Sequence, residues 1–310
     1  MPKTTLNDKF HQQSDNVKGS LILIVAAALF TIMVALIKHL GSNLHVTQIV
    51  LIRQMIMTVI LAPTVLTGFP GVLKTRRAPM HITRMLFAVG AMLFGFSSII
   101  HLPLADATSL GFAKSFFISI FAVFILKEYV GPRRWVAVAV GFLGVVIMMK
   151  PGTDSYSIYG IMALTAAACA GVAMVLIRFL SRSESTGTIL AWQAIGVGVL
   201  MTVPAIWFWK WPTTGEWLLL VCMGAISYFT QKTNILAYRL GEASLLASLD
   251  YIRLLFATFI GYFVFSTLPG PYTWIGSGII VAAAIYTIWR EAKKKQDLTR
   301  SAESNSGYIP

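Results

Sequence analysis

The chain has 310 residues, of which 56% are hydrophobic and only 12% are charged. Soluble domains carry about 25% charged residues and have too little core to bury so many long apolar runs, so a soluble fold is excluded. The formal net charge of +13 does not indicate nucleic-acid binding, because Lys and Arg cluster in short gaps between the apolar runs. That pattern is typical of a helical membrane protein.

Ten apolar runs are predicted to be membrane spans, between a polar tail over 1–18 and a second tail over 290–310. The first five cover 19–40, 47–67, 82–100, 106–126 and 135–149, and the second five cover 159–179, 186–209, 217–236, 245–265 and 274–289. Each is long enough, or nearly so, to cross a bilayer as a helix. The predicted fold class is therefore all-α, a polytopic membrane protein with ten transmembrane helices.

The distribution of Lys and Arg predicts the orientation. With the N-terminus in the cytoplasm, the cytoplasmic segments hold 18 of these residues and the outer gaps hold 3, namely Lys38, Lys150 and Lys210. Cytoplasmic loops of membrane proteins carry such an excess of positive charge. We therefore expect both termini to be cytoplasmic.

An internal repeat divides the chain into two halves, residues 19–152 and 153–289. "AAALFTIMVALIKHL" (26–40) matches "AAACAGVAMVLIRFL" (166–180) at an offset of 140, "LADATSL" (104–110) matches "LGEASLL" (240–246) at 136, and "GPRRW" (131–135) matches "GPYTW" (270–274) at 139. Each half has five spans, and five is odd, so the second half must enter the membrane in the opposite sense. Inverted repeats of this kind place substrate sites near the midplane.

Two stretches carry a resemblance to a known family. They are "FFISIFAVFILKEYVGPRRWVAVAVGFLGVVIMMKPG" (116–152) and its echo "FATFIGYFVFSTLPGPYTWIGSGIIV" (256–281). With them, the chain over 19–289 resembles the drug/metabolite transporter superfamily, in its EamA branch. The resemblance implies transport of a small metabolite across the inner (plasma) membrane without ATP. Members that the chain resembles handle S-adenosylmethionine, riboflavin or amino acids.

The chain departs from that family where the fourth span closes. The family usually has Gly-Glu at this step, whereas this chain has Lys127-Glu128 in the first half and Ser266-Thr267 in the second. The second acidic position is therefore lost, and no role is assigned to it.

Charged residues inside the ninth span are the strongest candidates for a transport site. Asp250 and Arg253 lie three residues apart on one helix face, where they can pair, and a charge at membrane depth costs about 2.5–3.5 kcal/mol. Such residues face a cavity or the bundle interior, although a structural ion pair between helices is the alternative. We predict that Asp250 binds substrate and couples transport to protons, since a buried carboxylate has a tunable pKa. At an offset of 136, Lys114 matches Asp250.

Further polar and aromatic side chains complete the predicted substrate site. Lys114 is expected to line the cavity, with snorkelling to the surface as the alternative. Arg53 in the second span matches Trp192 in the seventh, beside the matched pair Gln54 and Gln193. Arg53 has a second interpretation as an anchor between helices. The predicted substrate-binding residues are Lys114, Asp250, Arg253, Arg53, Tyr251, Trp192, Gln193 and Gln54.

Small residues are expected to allow close helix approach. They include Gly141 and Gly144 in the fifth span and Gly276 and Gly278 in the tenth, which we expect to serve packing or a homodimer contact. In the first and sixth spans the alanine-rich stretches 26–29 and 166–171 are expected to let helices rock.

The predicted function is secondary transport of a small organic metabolite by alternating access, with the lipid bilayer as the surrounding partner. Two alternatives stay open, a membrane-embedded enzyme and a non-transporting scaffold. The sequence has no HExxH or GxSxG motif and no GxxxxGK phosphate loop, so it indicates no catalytic residues, no metal, no cofactor and no ATP-driven pump. Cys169 and Cys222 both lie in apolar runs and make neither a disulfide framework nor a metal site.

Overall fold

The structure, a computed structural model, describes residues 15–67, 73–127, 132–150, 152, 155–180, 183–240, 251–283, 285–286 and 289. Over these residues the regular structure is entirely helical. In chain order the helices are α1 (Asp15–Leu40), α2 (Val46–Thr67), α3 (Ala78–His101), α4 (Leu104–Gly111), α5 (Lys114–Leu126), α6 (Pro132–Met148), α7 (Ile158–Leu180), α8 (Thr186–Trp207), α9 (Thr214–Leu240), α10 (Ile252–Phe265) and α11 (271–283).

Six helical stretches in the described residues are long and apolar enough to cross a membrane. They are Leu21–Leu40, Val46–Pro63, Ala78–His101, Leu104–Ile125, Ile158–Ile177 and Gly187–Trp207, and two shorter apolar helices are Trp135–Met148 and Ile252–Phe265. Large apolar side chains also lie on the outside, such as Val203 at 74% and Val59 at 71% exposed. A bilayer solvates such side chains, so the chain is a multi-pass membrane protein. The exact count of ten spans stays a prediction.

The helices of one half pack mainly on those of the other. α3 packs against α7, and α9, the counterpart of α3, packs against α1. A Cβ placed on Gly90 would lie 3.1 Å from Cys169 Sγ, and one on Gly95 would lie 3.4 Å from Ala166 Cβ, so small residues allow α3 and α7 to approach closely. The expected role of the 166–171 stretch in close packing agrees with these contacts.

Matched helices of the two halves also contact each other directly. α2 packs antiparallel to α8, since Thr47 Oγ1 donates to Pro204 O (3.4 Å) near one end and Gln54 Nε2 donates to Gln193 O (3.3 Å) further along. Gln54 and Gln193 are themselves a matched pair of the repeat. Contact between equivalent residues is what an approximate twofold axis between the halves produces.

The end of the bundle formed by α6 and α11 shows the same relation. A Cβ on Gly144 would lie 2.6 Å from Gly276 O, and a Cβ on Gly276 would lie 2.5 Å from Gly144 O. These two glycines therefore serve packing within one chain. Gly278 has open space around it, and Gly141 lies under the ring of Phe116.

The predicted fourth span, 106–126, is not one continuous helix. α4 begins earlier, at Leu104, and ends at Gly111, and α5 begins at Lys114. Between them Phe112 N donates to Ser109 O (3.1 Å) and Ala113 N donates to Leu110 O (3.0 Å), which are tightened three-residue turns. In the second half, Tyr251 is a turn residue directly before α10. The interruption between α4 and α5 lies well inside an apolar segment.

α5 and α10 end in the same unusual backbone conformation. Their C-terminal caps, Lys127 with φ 54° and Ser266 with φ 53°, both lie in the left-handed region that favours glycine. The two caps are 139 positions apart, which fixes the register between α5 and α10. The family glycine would fit this position without strain.

Candidate functional site

A cavity of about 220 Å³ lies inside the bundle, beside the interruption between α4 and α5. Its lining comes from both halves of the chain and is mostly apolar with small side chains. The lining residues are Phe30, Val34, Ala91, Gly95, Phe96, Ser98, Ile99, Ala107, Thr108, Gly111, Phe112, Lys114, Ala163, Ala166, Ala167, Ala170 and Arg253. Two cations therefore face a cavity that is otherwise lined by aromatic and small residues.

Lys114 is the first residue of α5, directly after the interruption, and it is half-buried. Hydrogen bonds continue through the interruption, because Ser115 N donates to Phe112 O (3.1 Å) and Phe116 N donates to Ala113 O (3.0 Å). Lys114 therefore lies where the interruption meets the cavity.

Arg253 occupies the corresponding place in the second half. It is the second residue of α10, it is 8% exposed, and its guanidinium carbon lies 4.3 Å from the centre of the Phe30 ring. That distance is well within the range of a cation–π contact. Lys114 and Arg253 therefore bring two cationic side chains to one cavity.

The register of the repeat differs here from the expected one. We expected Lys114 to match Asp250 at an offset of 136, but the caps Lys127 and Ser266 fix 139 for α5 and α10. At 139 Lys114 matches Arg253. The offset of 136 holds for the sequence upstream, so the second half has three additional residues between the two registers.

The same register pairs Phe112 with Tyr251, and these two residues touch. Their ring centres are 4.8 Å apart, with the planes at 65°, an edge-to-face contact. Tyr251 thus supports a residue that lines the cavity. Asp250, the predicted proton-coupling residue, lies outside the described residues, as does its expected pairing with Arg253.

Three other predicted site residues form a separate polar chain. Arg53 Nε donates to Ser227 Oγ (2.7 Å), and its Nη1 donates to Gln54 Oε1 (2.9 Å). Gln54 in turn donates to Gln193 O at 3.3 Å. The described lining of the cavity does not include these residues, although the Arg53 guanidinium lies 6.0 Å from the ring of Phe96, which does line it.

Arg84 extends this chain and was not singled out from the sequence, where it counted only as a cytoplasmic cation. It is 1% exposed, and it donates to Gln193 Oε1 (2.9 Å) and to Ile189 O (2.8 Å). Arg84 lies about two turns after the start of α3, and this position is the only local feature of the sequence that indicates a place inside the bundle.

Trp192 lies next to this chain and away from the cavity. Its Nε1 donates to Leu73 O (3.2 Å), and its ring stacks on His81 with the ring centres 5.1 Å apart. The structure therefore places Trp192 as a packing residue near the start of α3. Of the seven predicted residues that the structure describes, Lys114 and Arg253 line the cavity.

A polar cluster joins the loop after α1 to the start of α9. Asn43 Nδ2 donates to Glu216 Oε1 (2.5 Å), and Thr213 N donates to Glu216 Oε2 (2.7 Å). These hydrogen bonds from Asn43 and then Thr213 lower the pKa of the Glu216 carboxyl. The carboxylate therefore stays ionised and holds the two loops together.

Matched halves of antiparallel apolar helices around a charged internal cavity define a membrane protein of the transporter type. The EamA-like transporter family matches residues 17–150 and again residues 157–289. The chain therefore belongs to the EamA-like transporter family, with one family domain in each half.

Curated relatives cover nearly the whole chain. An S-adenosylmethionine uptake transporter of Rickettsia prowazekii (strain Madrid E) is 27% identical over 288 residues, covering 93% of this chain and 97% of the relative. A pseudopaline exporter of Pseudomonas aeruginosa (strain UCBPP-PA14) is 31% identical, covering 86% and 94%. A riboflavin transporter of Vibrio cholerae serotype O1 (strain ATCC 39315 / El Tor Inaba N16961) is 26% identical, covering 90% and 96%.

A solved crystal structure shares the fold. It aligns with a TM-score of 0.60 at 19% identity and covers 87% of this chain and 96% of the other. At this identity the likeness is one of fold alone.

Proposed function

We propose that the protein is a secondary transporter that moves a small organic metabolite with an anionic group across the inner membrane. The observation that carries this proposal is the cavity between the halves, with Lys114 and Arg253 at its wall. Lys114 is the first residue of α5 and Arg253 is the second residue of α10. Secondary transporters built from two inverted halves place their substrate sites between the halves, near the midplane.

The rest of the lining indicates what the anion is attached to. Phe30, Phe96 and Phe112 contribute aromatic rings to the lining, and the α7 wall of Ala163, Ala166, Ala167 and Ala170 leaves room beside them. A flat apolar group fits such a surface, because aromatic rings pack well on each other and on small residues. We therefore favour a carboxylate joined to a planar ring. S-adenosylmethionine has both groups together with an ammonium and a sulfonium cation, whereas riboflavin has the ring without the carboxylate.

The proposed mechanism is alternating access. Ten spans in two inverted halves, 19–152 and 153–289, rock about the cavity, with both termini in the cytoplasm. Relatives named for uptake and for export lie at similar identity, so the family leaves the direction of transport open, and we propose that the gradients set it. Asp250 is proposed as the proton-coupling group and, with Arg53, Tyr251, Trp192, Gln54 and Gln193, as part of the wider site or its support.

The two other functions considered from the sequence have less support. The relatives of this chain are named as transporters, and none of the three described above is named as an enzyme or a scaffold. A purified protein that chemically alters a labelled candidate substrate would favour the enzyme.

Ligand-induced stabilisation tests the proposal. Purified protein is heated with S-adenosylmethionine, riboflavin or aromatic amino acids, and the ligand that binds raises the unfolding temperature. At 100 times its Kd a ligand adds about 2.7 kcal/mol. We expect Lys114→Ala to abolish this shift and to abolish counterflow of the same compound in proteoliposomes. The matched control is Lys150→Ala, because Lys150 is an exposed lysine that bonds Tyr272 outside the cavity.

The proposal fails if no compound with a carboxylate stabilises the protein. It fails equally if Lys114→Ala binds and transports the compound as well as the wild type does.

A further inference from the structure

Lys38 lies at the boundary between two cavities. The ammonium, at the end of α1, donates to the backbone oxygens of Ile99 (3.1 Å), Ile100 (3.2 Å) and Leu102 (2.5 Å). Ile99 lines the cavity that contains Lys114 and Arg253, called the central cavity from here on. Leu102 lines a second cavity of about 370 Å³. The lysine therefore holds in place the stretch of backbone that separates the two cavities.

The second cavity is polar and lies at the ends of helices from both halves. It is lined by Lys38, His101, Leu102, Pro103, Ser157, Tyr159 and Thr267. The rings of His101 and Tyr159 stack at 3.8 Å between centres and 3° between planes. Like the central cavity, the second cavity combines a cation with aromatic rings, but more of its lining is polar.

The bonds of Lys38 are of a kind that an anion can replace. In the part of the chain that the structure describes, the acceptors of its ammonium are all neutral backbone oxygens. A hydrogen bond from an ammonium to an ionised acceptor is roughly twice as strong as one between neutral groups. An anion in the second cavity would therefore compete with the α3 carbonyls for this lysine.

The C-terminal end of α3 depends on that lysine. The last carbonyls of a helix have no partner within it, and a cation at that end satisfies them and complements the helix dipole. The ring of Phe265, the last residue of α10, lies 5.6 Å from the same ammonium. Lys38 thus joins α1, the α3–α4 junction and the end of α10 at one point.

We propose that this second cavity is an anion-recognition site on the outer side of the protein, and that binding there draws Lys38 away from α3. The movement releases the α3–α4 junction and opens the way between the outer and central cavities. The site takes the anionic group of the transported metabolite before that group reaches Lys114 and Arg253. This inference rests on the proposed transport function, but its test does not require transport.

Charge-selective labelling tests the recognition step. In a background without the two native cysteines, Ser157→Cys places a thiol in the outer cavity. Intact cells are treated with 2-sulfonatoethyl methanethiosulfonate, an anion, or with its trimethylammonium counterpart. The rate at which each reagent labels the protein is divided by the rate at which the same reagent reacts with a small thiol in solution. We expect the anionic reagent to react about tenfold faster than the cationic one, as one nearby charge in a partly screened site provides.

Variants of Lys38 assign the preference. Lys38→Gln should remove it, and Lys38→Arg should keep it. The control Lys150→Gln removes a surface lysine near Tyr272 and should leave the preference unchanged. Absence of the preference in the protein with Lys38 intact overturns the proposal even if Lys38→Gln does not fold. Labelling from the cytoplasmic side alone overturns the outer location.

A second thiol tests the release of α3. Ser98 is buried and lines the central cavity, so Ser98→Cys reports access to it. We expect Lys38→Gln to increase labelling of this thiol at least fivefold, and Lys38→Arg to leave it slow. An unchanged rate in Lys38→Gln overturns the opening role. If transport assays fail while the charge preference follows Lys38, the proposed function falls and the anion site stands.

Discussion

Two buried arginines reach across the boundary between the halves by neutral hydrogen bonds. Arg84 on α3 donates to Gln193 on α8, and Arg53 on α2 donates to Ser227 on α9. A buried guanidinium is costly unless its donors are paired, so these partners offset part of that cost, and Arg84 Nε is left without a partner among the described residues. The chain of polar groups therefore fixes how the first half meets the second.

Replacing Arg84 tests this function of the polar chain. Arg84→Met keeps the length and apolar stem of the side chain but leaves Gln193 Oε1 without its donor. An unpaired buried polar group costs about 1–3 kcal/mol, so we expect a lower unfolding temperature in detergent. Arg76→Met is the control, since Arg76 is exposed. Equal stability of the two variants would show that the bonds of Arg84 contribute nothing.

The sequence identifies such residues only in part. A lysine or arginine inside an apolar run stands out, so Lys114, Arg253 and Arg53 were all recognised. Arg84 lies near the end of its run, where cations usually reach the surface. Its partner Gln193 is 109 positions away in the chain. No local pattern can indicate a contact of that separation.

At the scale of helices, the crossing of α6 and α11 depends on one glycine and tolerates another. Gly276→Ala would place a Cβ 2.5 Å from Gly144 O, a backbone atom that cannot move without shifting the helix. Overpacking of this kind costs about 1–3 kcal/mol. We expect Gly276→Ala to lower the unfolding temperature measured in detergent.

Gly278 in the same helix is the matched control. It has nothing within 4 Å of a Cβ, and an alanine in a helix gains about 0.5–1 kcal/mol over glycine. Gly278→Ala should therefore leave stability unchanged or increased. A loss of stability in both variants would contradict the interpretation that close helix contact is the reason for Gly276.

The helix interruption between α4 and α5 was beyond sequence analysis for a physical reason. Phe112 and Ala113 are apolar, so the mean hydropathy of the run over 104–125 stays high across the break. The bilayer selects for apolar character and not for continuity of a helix, provided that the freed backbone groups bond locally. Likewise, Lys127 and Ser266 occupy a left-handed position that the sequence would assign to glycine.

At the scale of the whole molecule, the transport cycle is predicted to depend on Asp250. If this carboxyl binds the coupled proton, Asp250→Asn removes the effect of a pH gradient but leaves exchange of substrate at equal pH. Uptake into proteoliposomes with and without a pH gradient measures both. Glu216→Gln is the control, because Glu216 is a surface carboxyl in a loop contact. Gradient-driven uptake that persists in Asp250→Asn would refute the assignment.

The architecture was more accessible from sequence than the site. Apolar run length and the matched segments predicted a helical membrane protein in two related halves, because lipid demands both helices and long runs. The register near the ninth span was wrong by three positions. A match between short sequence segments gives the offset of those segments only. The ends of α5 and α10 give the offset at individual residues, Lys127 and Ser266.

The three additional residues in the second half bear on the proposed alternating access. If two inverted halves were identical, the outward-open and inward-open states would be related by a twofold rotation and would be equally stable. Halves that differ, as these do by three residues before Arg253, remove that equality. An inequality of about 1.4 kcal/mol changes the resting populations tenfold. We therefore predict that this departure from symmetry contributes to the side on which the protein rests.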